Sequence, residues 1–414
     1  FNQSKTEKIA FLSTLQKLNL LKLFPLLIDD YIEEIFLDSP MDKIYINHHK
    51  HGRCRTDISF SSGELDRIKT FLRLYSGKRL DYSNPSLKYV LKNKYFYCRF
   101  SVDVDPIHSY KFGMDIRKLN KNIFTIQDLL KMGTLNPLMA AFLYFCVLRR
   151  INITVTGETD TGKTTLINAL DLLSPKEYRK IYVEDITESL NQSEFQRHQV
   201  KFKVDSIESM FKKKYSKQNQ IKNLLHRTPD VIYLGEILTK EEAEAMFHCL
   251  AAGLRGFQTI HAKSLSSLIN RFLYHFQINQ SCFDDLDLIV FMKKSNNGRK
   301  IISISEITIL EQNNKSHNKI FIYNPEKLAW EQNSDLFKSR VINKLKTIEN
   351  LTVSTFNNTI TIYKEIFQFL LKHDKLTNRE LIDLFDKINY YSIKSHDALN
   401  SFWKNWKKYR TLNL

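Results

Sequence analysis

The chain has 414 residues, of which 43% are apolar and 12% aromatic. This apolar fraction excludes a disordered chain, and the length predicts two or three domains with cores of their own. Lys and Arg (62) outnumber Asp and Glu (45), for a net charge of +17. Such an excess favours an anionic partner, which could be nucleic acid, a membrane surface or a polyphosphate.

No apolar run reaches the roughly 18 residues that a membrane-spanning helix requires, and the longest one covers residues 138–148. We therefore expect a protein that is not integral to a membrane. The five cysteines lie far apart and form no C-x-x-C pair, which argues against disulfide bonds and against a zinc site. The cysteine pattern predicts a reduced, cytoplasmic protein.

Residues 1–125 predict a separate α+β domain. Apolar residues recur with helical spacing at first, and then alternate with polar residues as in strands around a polar turn at residues 48–52. The predicted elements are a helical segment to about residue 27, a hairpin over 43–60, a helix over 62–75 and a strand over 95–102.

From residue 126 to 325, strands alternate with helices, which is typical of a parallel α/β core. The predicted elements are a helix over 136–149, a strand over 151–156, a helix over 164–173, strands over 181–183 and 231–234, a helix over 241–252 and a strand over 256–260. Residues 326–414 are mostly helical in pattern. The expected fold class is thus α/β, with an N-terminal α+β domain and a helical C-terminal extension.

A glycine loop follows the strand that ends at residue 156. Residues 157–164, GETDTGKT, fit the pattern G-x-x-x-x-G-K-[ST], and an apolar helix comes next. The glycines let backbone N–H groups wrap a diphosphate, Lys163 would meet the β and γ oxygens, and the Thr164 hydroxyl would bind Mg²⁺. A chance glycine turn is the alternative. The predicted ATP-binding residues are Gly157, Thr159, Thr161, Gly162, Lys163, Thr164 and Thr165.

Hydrolysis also requires a carboxylate at a second strand end, which holds the metal or positions water. The apolar run 231–234 predicts a buried strand that continues into Gly235 and Glu236. Ligands bind at the carboxyl ends of parallel strands, so Glu236 is a candidate for this role. A solvated glutamate is the alternative, and Glu replaces the usual Asp here.

Two further strand ends carry polar residues where a second carboxylate and a γ-phosphate sensor are expected. Glu184 and Asp185 follow the strand 181–183, and His261 follows the strand 256–260. The chain contains twelve histidines, so a structural role for His261 stays as open as a functional one.

These four stretches resemble the type II/IV secretion ATPase family, the hexameric motors of pilus, archaellum and secretion machines, and its archaeal branch in particular. The matching segments are the Walker A loop at 157–164, an acidic segment at 183–188, a Walker B strand at 228–237 and a histidine segment at 253–262. Residues 30–35 and 83–85 extend the resemblance into the N-terminal domain.

The resemblance implies a RecA-like P-loop ATPase that forms a homo-oligomer, a hexameric ring at the inner face of the cell membrane. It implies ATP and Mg²⁺ as cofactors, a polytopic membrane platform protein as partner, and pilin-like subunits as indirect partners. The implied output is assembly or retraction of a filament, or secretion.

Carried over position by position, the resemblance implies that Glu236 activates or positions water. Glu184 would assist near the Mg²⁺ bound by Thr164, and His261 would sense the γ-phosphate. Arg99 and Arg117 are candidates for the arginines that family members supply from the N-terminal domain. Ordinary surface charge is the alternative for both arginines.

The chain also departs from the family pattern. Leu238 stands where Arg usually follows Gly-Glu-Ile, Leu254 replaces a histidine, and His226 and Thr228 replace arginines. Arg227 or Arg255 could compensate. Two other classes therefore stay open: a nucleic-acid translocase or conjugation motor, favoured by the charge, and a non-hydrolysing ATP-binding assembly protein, favoured by Leu238.

The end of the chain carries Trp403 and Trp406 among basic residues. Aromatic and basic side chains together favour an anionic membrane surface. Packing of the tryptophan pair against the protein's own helices is the preferred interpretation.

Overall fold

The computed structural model describes residues 3–17, 20–93, 95–119, 123–204, 216–295, 298–309 and 315–412. The chain forms two compact units, residues 1–122 and 123–414. Each unit encloses buried apolar clusters of its own.

In the part that the structure describes, the first unit contains an antiparallel sheet and three helices. Its strands are β1 (Ile32–Leu37), β2 (Lys43–His48), β3 (Gly52–Ser59), β4 (Ser86–Lys92), β5 (Tyr97–Val104) and β6 (Phe112–Lys118), in the spatial order β3-β2-β1-β6-β5-β4. Its helices are α1 (Gln3–Lys17), α2 (Phe24–Ile28) and α3 (Ser62–Ser76). The predicted hairpin is confirmed as β2 and β3, and the predicted strand over 95–102 as β5.

The predicted helical pattern to about residue 27 is confirmed in two helices, α1 and α2. Pro25 lies in the first turn of α2. Proline has no N–H to donate and its ring clashes with the preceding turn, so it is tolerated at the start of a helix but not inside one.

Helix α3 has clear local signals at both ends. The Ser61 hydroxyl accepts the N–H of Glu64, whose carboxylate accepts the N–H of Ser61, which forms a capping box. Gly77 follows in the left-handed conformation (φ 65°) and ends the helix. The prediction of a helix over 62–75 is confirmed.

Nine strands form the sheet of the second unit within its described residues. Its strands are β7 (Ile153–Gly157), β8 (Lys180–Glu184), β9 (Gln199–Lys203), β10 (Val231–Glu236), β11 (Gly256–His261), β12 (Leu288–Ser295), β13 (Gly298–Ile309), β14 (Lys315–Asn324) and β15 (Ala329–Gln332). The spatial order is β15-β14-β13-β12-β7-β11-β10-β8-β9. The strands from β12 to β9 run parallel, which confirms the predicted parallel core. Strands β13 to β15 extend it in antiparallel fashion, an extension that the sequence analysis missed.

Helices cover both faces of this sheet. They are α4 (Ile126–Lys131), α5 (Pro137–Leu148), α6 (Lys163–Asp171), α7 (Lys217–Lys222), α8 (Lys240–Ala251), α9 (Leu265–Asn270), α10 (Arg340–Glu349), α11 (Val353–Lys372), α12 (Asn378–Lys394) and α13 (His396–Leu412). Along β10, Val231 and Tyr233 join one apolar cluster, and Ile232 and Leu234 join the other. A strand that is apolar on both faces belongs inside such a layered sheet. Within the described ranges, no helix has both the length and the apolar character needed to cross a bilayer.

The C-terminal helices share their apolar cluster with α5 and the central strands. Trp403 is buried, its ring lies 5.5 Å from that of Phe369, and it stacks on Trp406. The preferred packing interpretation of the tryptophan pair is therefore confirmed. Polar contacts reinforce this interface, because Asn389 of α12 donates to the carbonyl oxygen of Leu173 at 3.0 Å.

Candidate functional site

Four parallel strands end at one edge of the second sheet and carry the predicted site residues there. The register pairs His261, the last residue of β11, with Gly157, the last residue of β7. On the other side of β11, Thr259 pairs with Glu236 at the end of β10. The glycine loop, the histidine and the glutamate are therefore neighbours at the carboxyl edge, where parallel sheets bind ligands.

The glycine loop turns sharply between β7 and α6. Asp160 (φ 59°) and Gly162 (φ 89°) have left-handed backbone conformations, and α6 begins at Lys163. A Cβ atom on Gly157 would lie 2.4 Å from the carbonyl oxygen of Met292 and 2.7 Å from the Thr161 hydroxyl. No side chain fits at Gly157, and the loop delivers the chain to a helix N-terminus, which favours anions.

Lys163, His261 and Glu236 form a chain of contacts. The Lys163 ammonium donates to the carbonyl oxygens of Gly157 (3.2 Å) and Glu158 (2.7 Å) and lies 3.1 Å from Nδ1 of His261. An ammonium group only donates, so Nδ1 accepts and the ring proton is assigned to Nε2. Nε2 lies 2.6 Å from Oε1 of Glu236. His261 thus connects Lys163 of the glycine loop to Glu236 at the end of β10.

Glu236 is ionised at neutral pH. Burial acts to raise its pKa, but the hydrogen bond from His261 and the positive charges of Lys163 and Lys217 outweigh burial and lower the pKa below its usual value. Lys217 also donates to the backbone carbonyl of Glu236. The carboxylate is therefore available as an acceptor for a water proton.

Two glutamates of the acidic segment 183–188, Glu184 and Glu188, make different contacts. Glu184 is buried, and its carboxylate accepts the N–H groups of Glu188 (3.1 Å) and Ser189 (3.0 Å). Burial raises the pKa of Glu184. Glu188 instead reaches the loop, where its Oε2 accepts the Thr164 hydroxyl at 3.0 Å. The sequence analysis did not single out Glu188, although Glu188 ends the acidic segment on which the resemblance rests.

The oxygens beside Thr164 fit a Mg²⁺ ion that is shared with phosphate. Mg²⁺ is usually held by one or two carboxylates together with substrate phosphates, rather than by a cage of protein side chains. The Thr164 hydroxyl and the Glu188 carboxylate supply such a partial set. In the part of the chain that the structure describes, no group of three or more His, Cys, Asp and Glu could hold a metal by itself.

The remaining candidates are placed as follows. Arg99 of β5 and Arg117 of β6 are paired neighbours in the first unit, and Arg117 forms an ion pair with Glu34 at 2.6 Å. Their catalytic role stays a prediction. The Thr161 hydroxyl donates to the carbonyl oxygen of Glu158 at 2.9 Å, so it stabilises the loop itself.

Two arginines were candidates to compensate for the replaced family residues. Arg255 donates to the carbonyl oxygens of Leu250 and Leu254, and the guanidinium of Arg227 lies 4.4 Å from the ring centre of Phe202. Nε of Arg255 also lies 3.8 Å from Oδ2 of Asp287, so both arginines have partners within the second unit, and compensation stays a prediction.

We expect Glu188→Gln to raise the Mg²⁺ concentration that gives half-maximal ATP hydrolysis by roughly ten-fold, because the amide is a weaker ligand than the carboxylate. A Mg²⁺ titration of the hydrolysis rate measures this shift. Glu184→Gln is the matched variant and should shift the titration less, since the Glu184 side chain contacts the backbone of residues 188 and 189. A larger shift for Glu184→Gln would assign the metal to Glu184.

The chain is similar in sequence to several known proteins. It is 31% identical over 219 residues to an uncharacterized protein of Methanocaldococcus jannaschii, a match that covers 51% of this chain and 30% of that protein. It is 25% identical over 210 residues to the type IV pilus ATPase PilU of Pseudomonas aeruginosa, with 47% of this chain and 50% of PilU covered. Matches span 30% to 55% of the length of three Methanocaldococcus jannaschii relatives.

The fold is shared with a solved structure. The crystal structure of the pilus retraction motor PilT with bound ADP aligns with 85% of this chain and 93% of its own, at 16% identity and a TM-score of 0.50. At this identity the likeness shows the fold alone, a RecA-like α/β core. The family model described as type II/IV secretion system protein matches residues 81–293, just over half of the chain. The chain therefore belongs to the type II/IV secretion system protein family.

Proposed function

We propose that this protein is an ATP-hydrolysing hexameric motor that powers assembly or retraction of a type IV pilus-like or archaellum filament, or type II/IV secretion. The observation that carries the proposal is the contact chain from Lys163 through His261 to Glu236 at the carboxyl edge of the sheet. These contacts join the proposed phosphate-binding residue to an ionised carboxylate, the two groups that hydrolysis requires. Membership of the family supports it.

In this proposal Lys163 exchanges contacts with the loop carbonyls for contacts with the β- and γ-phosphates. Glu236 orients the attacking water and accepts its proton. His261 contacts both groups, so a movement of the Lys163 ammonium is transmitted to Glu236 through the imidazole ring. A Mg²⁺ ion bound beside Thr164, through Glu184 or Glu188, would neutralise charge that develops on the phosphates.

Several finer parts of the proposal rest on the resemblance. Arg99 and Arg117 would complete the site from the N-terminal domain, and domain closure around ATP would be transmitted to a polytopic platform protein. The protein would then work at the cytoplasmic face of the cell membrane. The proposed domains are residues 1–125, 126–325 and 326–414.

A DNA-translocating motor of the conjugation type is the second candidate, and the net charge of +17 favours it. Phosphate contacts release counterions, so DNA binding by such a motor falls steeply with salt. We expect the pilus-type motor to hydrolyse ATP at a rate that added DNA leaves unchanged. An ATPase rate that rises several-fold with DNA and loses this stimulation at high salt would favour translocation.

The test of the enzyme proposal is Mg²⁺-dependent phosphate release by the unaltered protein and by Lys163→Ala. We expect hydrolysis by the first and its loss in the second, because an alanine cannot reach the phosphates. Lys327→Ala removes an equal charge from an exposed ion pair and serves as the control. ATP binding without hydrolysis by the unaltered protein would favour the non-hydrolysing assembly protein.

A further inference from the structure

The hairpin of β12 and β13 places two cations on the glycine loop. Arg299 donates from Nε to the backbone carbonyl of Asp160 at 2.8 Å and also to one oxygen of its carboxylate. Lys294 forms an ion pair with the other carboxylate oxygen. One acidic side chain of the loop therefore holds two basic side chains that come from a different part of the sheet.

These cations lie beside the turn that would bind phosphate. A Cβ atom on Gly162 would lie 3.2 Å from Cδ of Arg299 and 3.7 Å from Cε of Met292. Gly162 directly precedes Lys163, the residue proposed to reach the β- and γ-phosphates. The arginine side chain thus packs on the phosphate-binding turn itself, with its guanidinium one bond beyond Cδ.

The charge of Asp160 opposes the proposed use of the loop. Burial acts to raise its pKa, but the hydrogen bond from Lys294 and the charge of Arg299 outweigh burial and lower the pKa below its usual value. Asp160 is therefore an anion at neutral pH, and an anion in a phosphate-binding loop repels a polyphosphate. Lys294 and Arg299 pair with this carboxylate and offset the repulsion.

Both cations are accessible enough to change partner. The side chain of Arg299 is 30% exposed and that of Lys294 is 48% exposed. Ion pairs at such exposure contribute little net stability, so a multiply charged phosphate can compete for them. A guanidinium also matches phosphate oxygens with two parallel N–H donors.

We propose that Arg299 and Lys294 bind the phosphates of a nucleoside triphosphate or diphosphate, and that Asp160 is their counter-ion whenever no phosphate competes. Asp160 and the nucleotide phosphates then compete for the side chains of Arg299 and Lys294, and this competition sets the nucleotide affinity. The inference rests on the proposed function, because it requires that nucleotide binds at the loop 157–164.

Competition and a purely structural role for Asp160, Arg299 and Lys294 predict opposite effects of Asp160→Asn on nucleotide binding. If Arg299 and Lys294 only hold the loop in shape through Asp160, then removing the Asp160 charge loosens the loop and weakens nucleotide binding. If the carboxylate competes with phosphate, removing its charge strengthens binding. The sign of the effect of Asp160→Asn therefore tests the structural role. The double variant Asp160→Asn with Arg299→Ala separates competition for Arg299 from simple repulsion of phosphate by Asp160, because only competition makes the gain depend on Arg299.

The experiment is isothermal titration of the full chain with ATP and with ADP in the presence of Mg²⁺. We expect Asp160→Asn to lower the Kd roughly three- to ten-fold, and Arg299→Ala to raise it roughly ten-fold, as for loss of a charge-assisted hydrogen bond. Lys294→Ala should raise the Kd by less, because its side chain is more exposed. In the double variant Asp160→Asn with Arg299→Ala, most of the gain from Asp160→Asn should be lost.

Lys327→Ala is the matched control, because Lys327 pairs with Glu331 at 2.8 Å on the protein surface and its loss changes the net charge equally. Its Kd should equal that of the unaltered protein. The inference is overturned if Asp160→Asn weakens binding or leaves it unchanged, or if Arg299→Ala has no effect. Unaltered protein that binds no nucleotide would overturn the proposed function as well, whereas normal binding with the wrong sign for Asp160→Asn overturns this inference alone.

Discussion

Glu236→Gln is expected to lower the ATP hydrolysis rate at least about 100-fold while ATP binding is retained, as for loss of a general base. Gln keeps the shape of the side chain and can still accept the proton of His261 Nε2, so the edge of the sheet should stay intact. It cannot accept a proton from water, because its amide is not basic. Phosphate release and ATP titration on the same samples separate the two effects.

Glu331→Gln is the control for this variant. Glu331 is a half-exposed glutamate of β15 that pairs with Lys327 at the surface, so its substitution should leave hydrolysis unchanged. Equal hydrolysis rates for Glu236→Gln and the unaltered protein would contradict the motor proposal. Loss of ATP binding together with hydrolysis would instead show that Glu236 maintains the structure of the ATP-binding site rather than acting in the chemical step.

Gly256→Ala is expected to destabilise the second unit strongly. A Cβ atom at Gly256 would lie 1.9 Å from the carbonyl oxygen, 2.7 Å from the nitrogen and 2.8 Å from the carbonyl carbon of Ile232. All three are backbone atoms of the neighbouring strand β10, which is paired in register with β11. Since a paired backbone cannot move aside as a flexible side chain can, we expect a loss of at least about 3 kcal/mol in the free energy of unfolding.

Urea unfolding followed by circular dichroism, together with the yield of soluble protein, measures this loss. Gly63→Ala is the matched glycine substitution, because Gly63 lies in α3 and a Cβ atom there meets nothing within 4 Å. That variant should be unchanged or more stable by about 0.5–1 kcal/mol, since alanine is the better helix former. An unfolding midpoint for Gly256→Ala equal to that of the unaltered protein would show that β10 and β11 are not paired as described.

Local signals in the sequence were sufficient to predict the parallel core and the order of its strands and helices along the chain. The apolar runs before Gly157 and Glu236, and the glycine pattern between β7 and α6, depend on neighbouring residues alone. The same local logic predicted the hairpin of β2 and β3 and the helix α3. It also predicted the helical segment to about residue 27, in which Pro25 lies in the first turn of the second helix, α2.

By contrast, the antiparallel strands β13 to β15 were missed. Residues 301–309, IISISEITI, alternate apolar and polar side chains as a half-buried strand does, so β13 had a local signal, but that signal does not give the pairing partners of β13, β14 and β15. Their strand conformation is stabilised by pairing with β12 and with one another. β propensity depends on cross-strand neighbours, which the local sequence does not contain.

By itself, the sequence determined that this protein has a glycine loop followed by acidic and histidine strand ends, because a strand, a glycine turn and a helix start are local features. Only the tertiary structure decided which side chains meet: that His261 lies between Lys163 and Glu236, that Glu188 reaches Thr164, and that Arg299 and Lys294 pair with Asp160. These contacts join residues up to 139 positions apart in the chain. They follow from the order and register of strands in the sheet, which are set by the packing of the whole unit rather than by any one segment.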